Sequence, residues 1–67
     1  MDPTSFSPAK RARTRRGFTQ EALAKKAKVS KAAVVRLELR GPLVLHVATV
    51  AKIAKALGLT VDEMLHE

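Results

Sequence analysis

The side chains of this chain that are able to do chemistry are mostly cationic. The 67 residues include 13 Lys or Arg, 6 Asp or Glu and 2 His. Residues 1–41 carry eleven of the cations against three acidic residues, a net charge of +8, whereas residues 42–67 carry two against three, a net charge of −1. A basic half joined to a nearly neutral half indicates a surface that meets a polyanion. The alternative is an ordinary solvated surface rich in lysine.

Other kinds of site find little support in the residues. The chain has no cysteine, and His46 and His66 lack further plausible metal ligands nearby in sequence, so neither a disulfide nor a zinc site is expected. Glu38 is the one carboxylate expected in the interior and has no histidine near it, so we expect no enzyme and no cofactor. The only aromatic residues, Phe6 and Phe18, are too few for a module that stacks single-stranded bases. The sequence contains no apolar run of the length that spans a membrane, and a cytoplasmic protein is expected.

Cap and turn signals divide the chain into a short arm and five helices. Residues 1–6 are expected to form a disordered N-terminal arm, and residues 7–67 a single domain. Helix-capping residues and glycines predict helices over residues 8–16, 20–27, 31–39 and 46–57, and a short one opened by the capping box at residues 60–63. Strand patterns are lacking. The expected fold is therefore all-α, a compact five-helix bundle.

The fourth predicted helix has an apolar stripe at helical spacing. The positions expected to face inward are Val47, Val50, Ala51, Ala54 and Leu57. The stretch before it, residues 43–45, is apolar but too short to classify. It either folds back over the core or forms a surface for a partner.

The second and third predicted helices, with three residues between them, match a helix-turn-helix over residues 19–39. The apolar positions that can share one small core are Leu23, Ala24, Ala27, Val29, Val34 and Leu37. This arrangement leaves Lys31, Ala32, Val35 and Arg36 projecting outward together. Spacing alone is only moderately specific, because any three-helix bundle can contain such a pair.

The residue types resemble those of one family. FTQEALA at 18–24, VS at 29–30, RLE at 36–38 and AKALGL at 54–59 resemble the Cro and phage-repressor family, also called the xenobiotic-response-element (XRE) family of helix-turn-helix regulators. The resemblance covers about residues 9–65. It implies a lambda-repressor-like bundle of five helices and sequence-specific binding of double-stranded DNA.

The resemblance also implies which residues read bases. Lys31, Ala32 and Arg36 match the base-reading positions of the recognition helix, and Val35 lies nearby on the same face. The chemistry of these side chains fits that role. Arg36 can hold O6 and N7 of a guanine, and Ala32 or Val35 can touch a thymine methyl group.

Further residues match positions with other roles in the family. Gln20, Ser30 and Arg40 match positions that contact DNA phosphates, which set the register of the protein on DNA and not its sequence preference. Arg13 and Glu38 match a structural ion pair that joins the first helix to the end of the third.

Two departures from the family pattern carry structural consequences. Lys28 occupies the turn position where the family usually has glycine. A left-handed backbone conformation is therefore expected there, at a cost in stability of about 1 kcal/mol. Leu39 and Arg40 replace the usual Asn-Gly after Glu38, and the loop before the fourth helix is about one residue longer.

Two functions from different classes follow. The first is a transcription regulator, expected to be a repressor that binds a palindromic operator as a homodimer, because one recognition helix contacts only about four to six base pairs. We expect the dimer contact to come from the fifth helix and the loop after the third. The alternative is an antitoxin-like module that binds a partner protein and autoregulates its own operon.

Overall fold

Five α-helices and one 3-10 turn make up the part of the chain that the structure describes. The computed structural model describes residues 8–65. The helices are α1 (Pro8–Arg15), α2 (Gln20–Ala27), α3 (Lys31–Arg40), α4 (Val47–Leu57) and α5 (Val61–Leu65), with the 3-10 turn Pro42–Val44 between α3 and α4. No strand occurs within these residues, and the predicted all-α bundle is confirmed. The predicted arm at residues 1–6 lies outside the described residues, and so does Ser7, which the sequence predicts as the cap of the first helix.

Side-chain caps determine where the helices begin. The hydroxyl groups of Thr19 and Ser30 accept hydrogen bonds from the backbone amides three residues later, at 3.0 and 3.1 Å. At the start of α5 the Glu63 amide donates to Thr60 Oγ1 at 3.1 Å, and the Thr60 amide donates to Glu63 Oε1 at 2.9 Å. The predicted caps and capping box are confirmed.

Three approximate boundaries differ by one residue from those of the structure. The first helix ends at Arg15 and not Arg16, and the third continues to Arg40 instead of ending at Leu39. The fourth begins at Val47, because His46 has an extended backbone and its Nδ1 accepts from the Ala48 amide at 3.1 Å, which makes it the cap.

The ends of α2 and α4 share one geometry. Lys28 (φ 60°, ψ 44°) and Gly58 (φ 74°, ψ 24°) are both left-handed, and the amide of the next residue bonds back to the last turn, at 3.0 Å for Val29 and 2.8 Å for Leu59. The expected left-handed conformation of Lys28 is confirmed. Most residues with a side chain are strained in this backbone conformation, and Lys28 adopts it nevertheless.

One hydrophobic core joins all five helices. Its buried residues are Ala9, Ala12, Leu23, Ala24, Ala27, Val34, Leu37, Val50, Ile53, Ala54, Leu57 and Met64. The predicted inward residues of α2 and α3 are confirmed. The prediction for α4 is partly wrong, since Val47 is 65% exposed and Ala51 is exposed, whereas Ile53 is fully buried. The buried side of α4 consists of Val50, Ile53, Ala54 and Leu57, so the helix is rotated away from the predicted stripe at Val47 and Ala51.

The apolar stretch after α3 divides between core and surface. Leu45 packs against the core, whereas Leu43 and Val44 are 88% and 49% exposed. Neither sequence-based alternative therefore applies to the whole stretch.

Candidate nucleic-acid interface

The outward side of α3 forms a shallow concave surface. Val34 and Leu37 are turned into the core against α2, which leaves the other side of the helix to solvent. The residues that line this concave surface are Lys31, Ala32, Val35, Arg36, Leu39, Arg40 and Val44. The structure thus brings together the four residues expected to read bases and one of the three expected to contact phosphates.

This surface carries positive charge. Lys31, Arg36 and Arg40 are exposed, and no acidic residue lines it. Within residues 8–65, Arg36 and Arg40 form no ion pair. Lys31 Nζ lies 3.3 Å from Glu21 Oε1 in the first turn of α2, with both side chains largely exposed. An exposed pair of this kind is weak, so the lysine remains available to an anionic ligand.

Gln20 is the first residue of α2 and Ser30 is the cap of α3, and neither lines the concave surface. The Ser30 hydroxyl oxygen accepts from the Ala33 amide, which leaves its own proton free to donate. Gln20 Nε2 donates to Glu38 Oε1 at 3.1 Å. This bond holds the glutamine at the N-terminal end of α2, where unpaired backbone amides and the helix dipole favour an anion.

A nearly buried ion pair supports this arrangement from inside. Glu38 is 6% exposed, and Arg13 donates to it through Nε at 2.6 Å and through Nη2 at 3.3 Å. Arg13 Nη1 also donates to the carbonyl oxygen of Phe18 at 2.8 Å. Arg13 and Glu38, expected from the resemblance to pair, therefore link α1 and α3, and through Gln20 they also reach the start of α2.

Two contacts at this site could not be predicted from the sequence. Gln20 and Glu38 are 18 positions apart, and Glu21 and Lys31 are 10 apart, so no helical periodicity relates either pair. The sequence marks Glu21 only as an anion favoured in the first turn of a helix. Its role as partner of a cation on α3 depends on the angle at which the two helices cross.

Two other kinds of feature are absent from the described residues, a metal cluster and a membrane span. Within residues 8–65, no three acidic or histidine side chains come together in a way that could hold a metal ion. None of the helices in that range combines the length and hydrophobicity that a membrane span requires.

Comparison with known families gives one match. The family model described as helix-turn-helix, of the Cro/C1 or XRE type, matches residues 10–64, which include α2, α3 and the whole of α4. The chain belongs to the Cro/C1-type helix-turn-helix family. It is a DNA-binding transcription regulator of the XRE type, and the predicted resemblance over residues 9–65 is confirmed. The comparisons with curated proteins and with solved structures each gave no significant match.

The family assignment agrees with the geometry of this chain. In a Cro/C1-type domain the motif consists of two helices joined by a short turn. Here α2 and α3 are joined by residues 28–30, and these two helices make the most extensive contact between elements among the described residues. Since α3 is anchored by Val34 and Leu37, the family's recognition helix presents a defined outward side.

Proposed function

We propose that this XRE-family protein is a repressor that binds a short palindromic operator as a homodimer, with α3 in the major groove. The observation that carries the proposal is the concave surface of α3, where cations and small apolar groups alternate with no acidic residue among them. An α-helix with such a face fits the width of the major groove.

Base contacts follow from the chemistry of that surface. Arg36 projects from the middle of α3 without an ion-pair partner in residues 8–65, and its guanidinium can donate two parallel hydrogen bonds to guanine O6 and N7. Lys31 can donate to the same acceptors. Ala32 and Val35 offer methyl groups to thymine.

Phosphate contacts come from the edges of the surface. The side chain and N-terminal amides of α2 at Gln20 bind one phosphate, and Ser30 and Arg40 bind others. The bond from Gln20 to Glu38 couples this contact to the ion pair, so the scaffold sets the distance between the phosphate and α3. These contacts fix the register in which α3 enters the groove.

The homodimer proposal rests on an apolar patch next to this surface. The patch consists of Leu39, Leu43, Val44 and Val47, which are 65%, 88%, 49% and 65% exposed. Leu39 and Val44 also line the concave surface. A second copy that covers Leu43 and Val47, which do not line the concave surface, leaves that surface open to DNA and places two recognition helices side by side. Two-fold symmetry then requires an inverted repeat in the DNA. A dimer bound at such an operator represses by excluding other proteins from the site.

The first experiment is selection from a randomised duplex pool at about 150 mM salt, which suppresses purely electrostatic binding. The expected result is an inverted repeat with half-sites about one helical turn apart. Recovery of no motif would contradict the operator proposal. Recovery of a single unrepeated half-site would contradict the dimer and leave the regulator assignment intact.

Two variants separate the proposed base contact from the proposed phosphate contact. Arg36→Ala is expected to weaken operator binding by about 1–3 kcal/mol and to relax preference at one base position. Gln20→Ala is expected to weaken binding to all sequences more evenly. Arg36→Ala should melt like the parent, whereas Gln20→Ala should melt at a lower temperature, because it removes a hydrogen bond to the buried Glu38 carboxylate. Uniform weakening by Arg36→Ala would place this arginine on phosphate and not on a base.

The second candidate function is an antitoxin-like module, and the same apolar patch favours it. In that case a partner protein covers Leu43 and its neighbours, and DNA binding serves autoregulation. Leu43→Ser discriminates between the two. Under the homodimer proposal this variant binds the operator more weakly and is a monomer by light scattering. Under the antitoxin alternative it still binds the operator but no longer co-purifies with its protein partner.

A further inference from the structure

A second basic surface lies apart from α3, at the ends of α2 and α4. Four lysines line one groove there with two alanines, and we refer to it as the lysine groove. Its lining residues are Lys26, Ala27, Lys28, Lys52, Lys55 and Ala56. It shares no lining residue with the concave surface of α3.

The charge of the lysine groove is not compensated within the described residues. None of its four lysines forms an ion pair with any part of residues 8–65. The described carboxylates lie elsewhere. Glu21 contacts Lys31, Glu38 contacts Arg13, and Asp62 and Glu63 line a different groove beside α1. Like charges that converge without counter-charges attract an anionic ligand.

Backbone geometry supports a role for Lys28 in particular. It is the one residue other than glycine with a positive φ in residues 8–65. The left-handed conformation belongs to the way α2 ends, and glycine would adopt it without strain, so this lysine places a charge in the groove at a cost of about 1 kcal/mol. The neighbouring Lys26 is oriented by a cation–π contact, with Nζ 5.8 Å from the centre of the Phe18 ring.

We propose that the lysine groove binds the phosphodiester backbone of DNA, in addition to the contacts made through α3. Lysine ammonium groups act as point charges that suit phosphates and carry no base preference. A protein partner would require large apolar or aromatic anchors, and the groove offers only Ala27 and Ala56 between its lysines. The phosphates belong either to the flank of the bound duplex or to a second duplex.

The test measures the salt dependence of binding to a random-sequence duplex, which requires no operator. The variant Lys26→Gln/Lys28→Gly/Lys52→Gln/Lys55→Gln removes all four charges, and glycine relieves the strained position. Affinity falls as salt rises, and each lost phosphate contact lowers the magnitude of the slope of log Kobs against log salt by about 0.9, so we expect this magnitude to decrease by about 3 to 4. Circular dichroism confirms that the variant remains folded.

A matched pair of single variants controls for net charge. Lys25 and Lys55 both lie in the last turn of a helix, but only Lys55 lines the groove. Lys55→Gln is expected to lower the slope by about 0.9, and Lys25→Gln to leave it unchanged. Equal decreases in the two variants would overturn the proposal, because they would show that overall charge alone determines the slope.

Duplex length and a bridging assay identify the source of the phosphates. If the groove holds the flank of the bound duplex, the fourfold variant lowers the slope on a duplex of about 60 base pairs more than on one of about 20. If it holds a second duplex, the parent captures a labelled duplex on immobilised DNA and the fourfold variant does not. The proposal would be overturned if the fourfold variant and the parent had the same slope at both lengths and the same bridging. An acidic protein segment would then be the remaining ligand for the groove. Since neither arm uses an operator, failure of the operator selection would not affect this result.

Discussion

Separate removal of each partner of the Arg13–Glu38 pair should have unequal effects on stability. Glu38 is 6% exposed and accepts from three donors, two of them on Arg13 and one on Gln20. Arg13→Gln therefore leaves a buried carboxylate without its neutralising cation. A buried charge that loses its partner costs about 3–5 kcal/mol.

Glu38→Gln should lower the free energy of unfolding less, because the guanidinium that remains is partly solvated and keeps another hydrogen bond. The Arg13 side chain is 15% exposed and keeps its bond to the Phe18 carbonyl at 2.8 Å. The loss is that of a hydrogen bond to a charged group, about 1.5–3 kcal/mol. For 67 residues the total free energy of unfolding is about 3–10 kcal/mol, so Arg13→Gln is expected to leave much of the protein unfolded at 25 °C.

Urea unfolding followed by far-ultraviolet circular dichroism measures both changes, since the chain has no Trp or Tyr for fluorescence. The control is Arg13→Met/Glu38→Leu, which replaces the pair with apolar side chains and should be more stable than Arg13→Gln alone. A loss in Glu38→Gln that equals or exceeds the loss in Arg13→Gln would refute the reasoning. The reasoning would also be refuted if Arg13→Met/Glu38→Leu lowered the free energy of unfolding by the sum of the two single losses.

Three further predictions concern the helix ends and the exposed ion pair. Gly58→Ala should lower Tm by about 5–15 °C, because the backbone is left-handed (φ 74°). The new Cβ would lie 2.6 Å from Arg16 Nη2, but this is the end of a flexible side chain that can move, so Arg16→Ala in the same chain should restore little of the loss. Lys28→Gly should raise the free energy of unfolding by about 1 kcal/mol in a urea titration, and a decrease would mean that the lysine side chain stabilises the turn. Glu21→Gln should change stability by less than about 1 kcal/mol but raise affinity for a random-sequence duplex a few-fold, since it frees Lys31; unaltered affinity would show that the pair does not compete with DNA.

Much of this fold is predictable because its signals are local. The cap at Thr19 and the capping box at Thr60 each involve residues three apart, and Gly58 ends α4 through bonds to the preceding turn. Such interactions form within one helical turn and require no knowledge of distant residues. The outward side of α3 is predictable for a similar reason, because Val34 and Leu37 define its inward side at helical spacing.

Other features depend on how the helices cross. Val47 and Ile53 are both apolar and both fit a helical stripe, yet one is 65% exposed and the other fully buried, because α4 faces the core with the side that carries Val50, Ile53 and Leu57. Gln20 and Glu38 are 18 positions apart and share a hydrogen bond. Lys28 and Lys55 are 27 positions apart and line the same groove. Helical periodicity relates only residues within one element, so contacts between elements are set by the angles and depths at which the helices pack. In this protein, those angles decide which cations converge and which are neutralised.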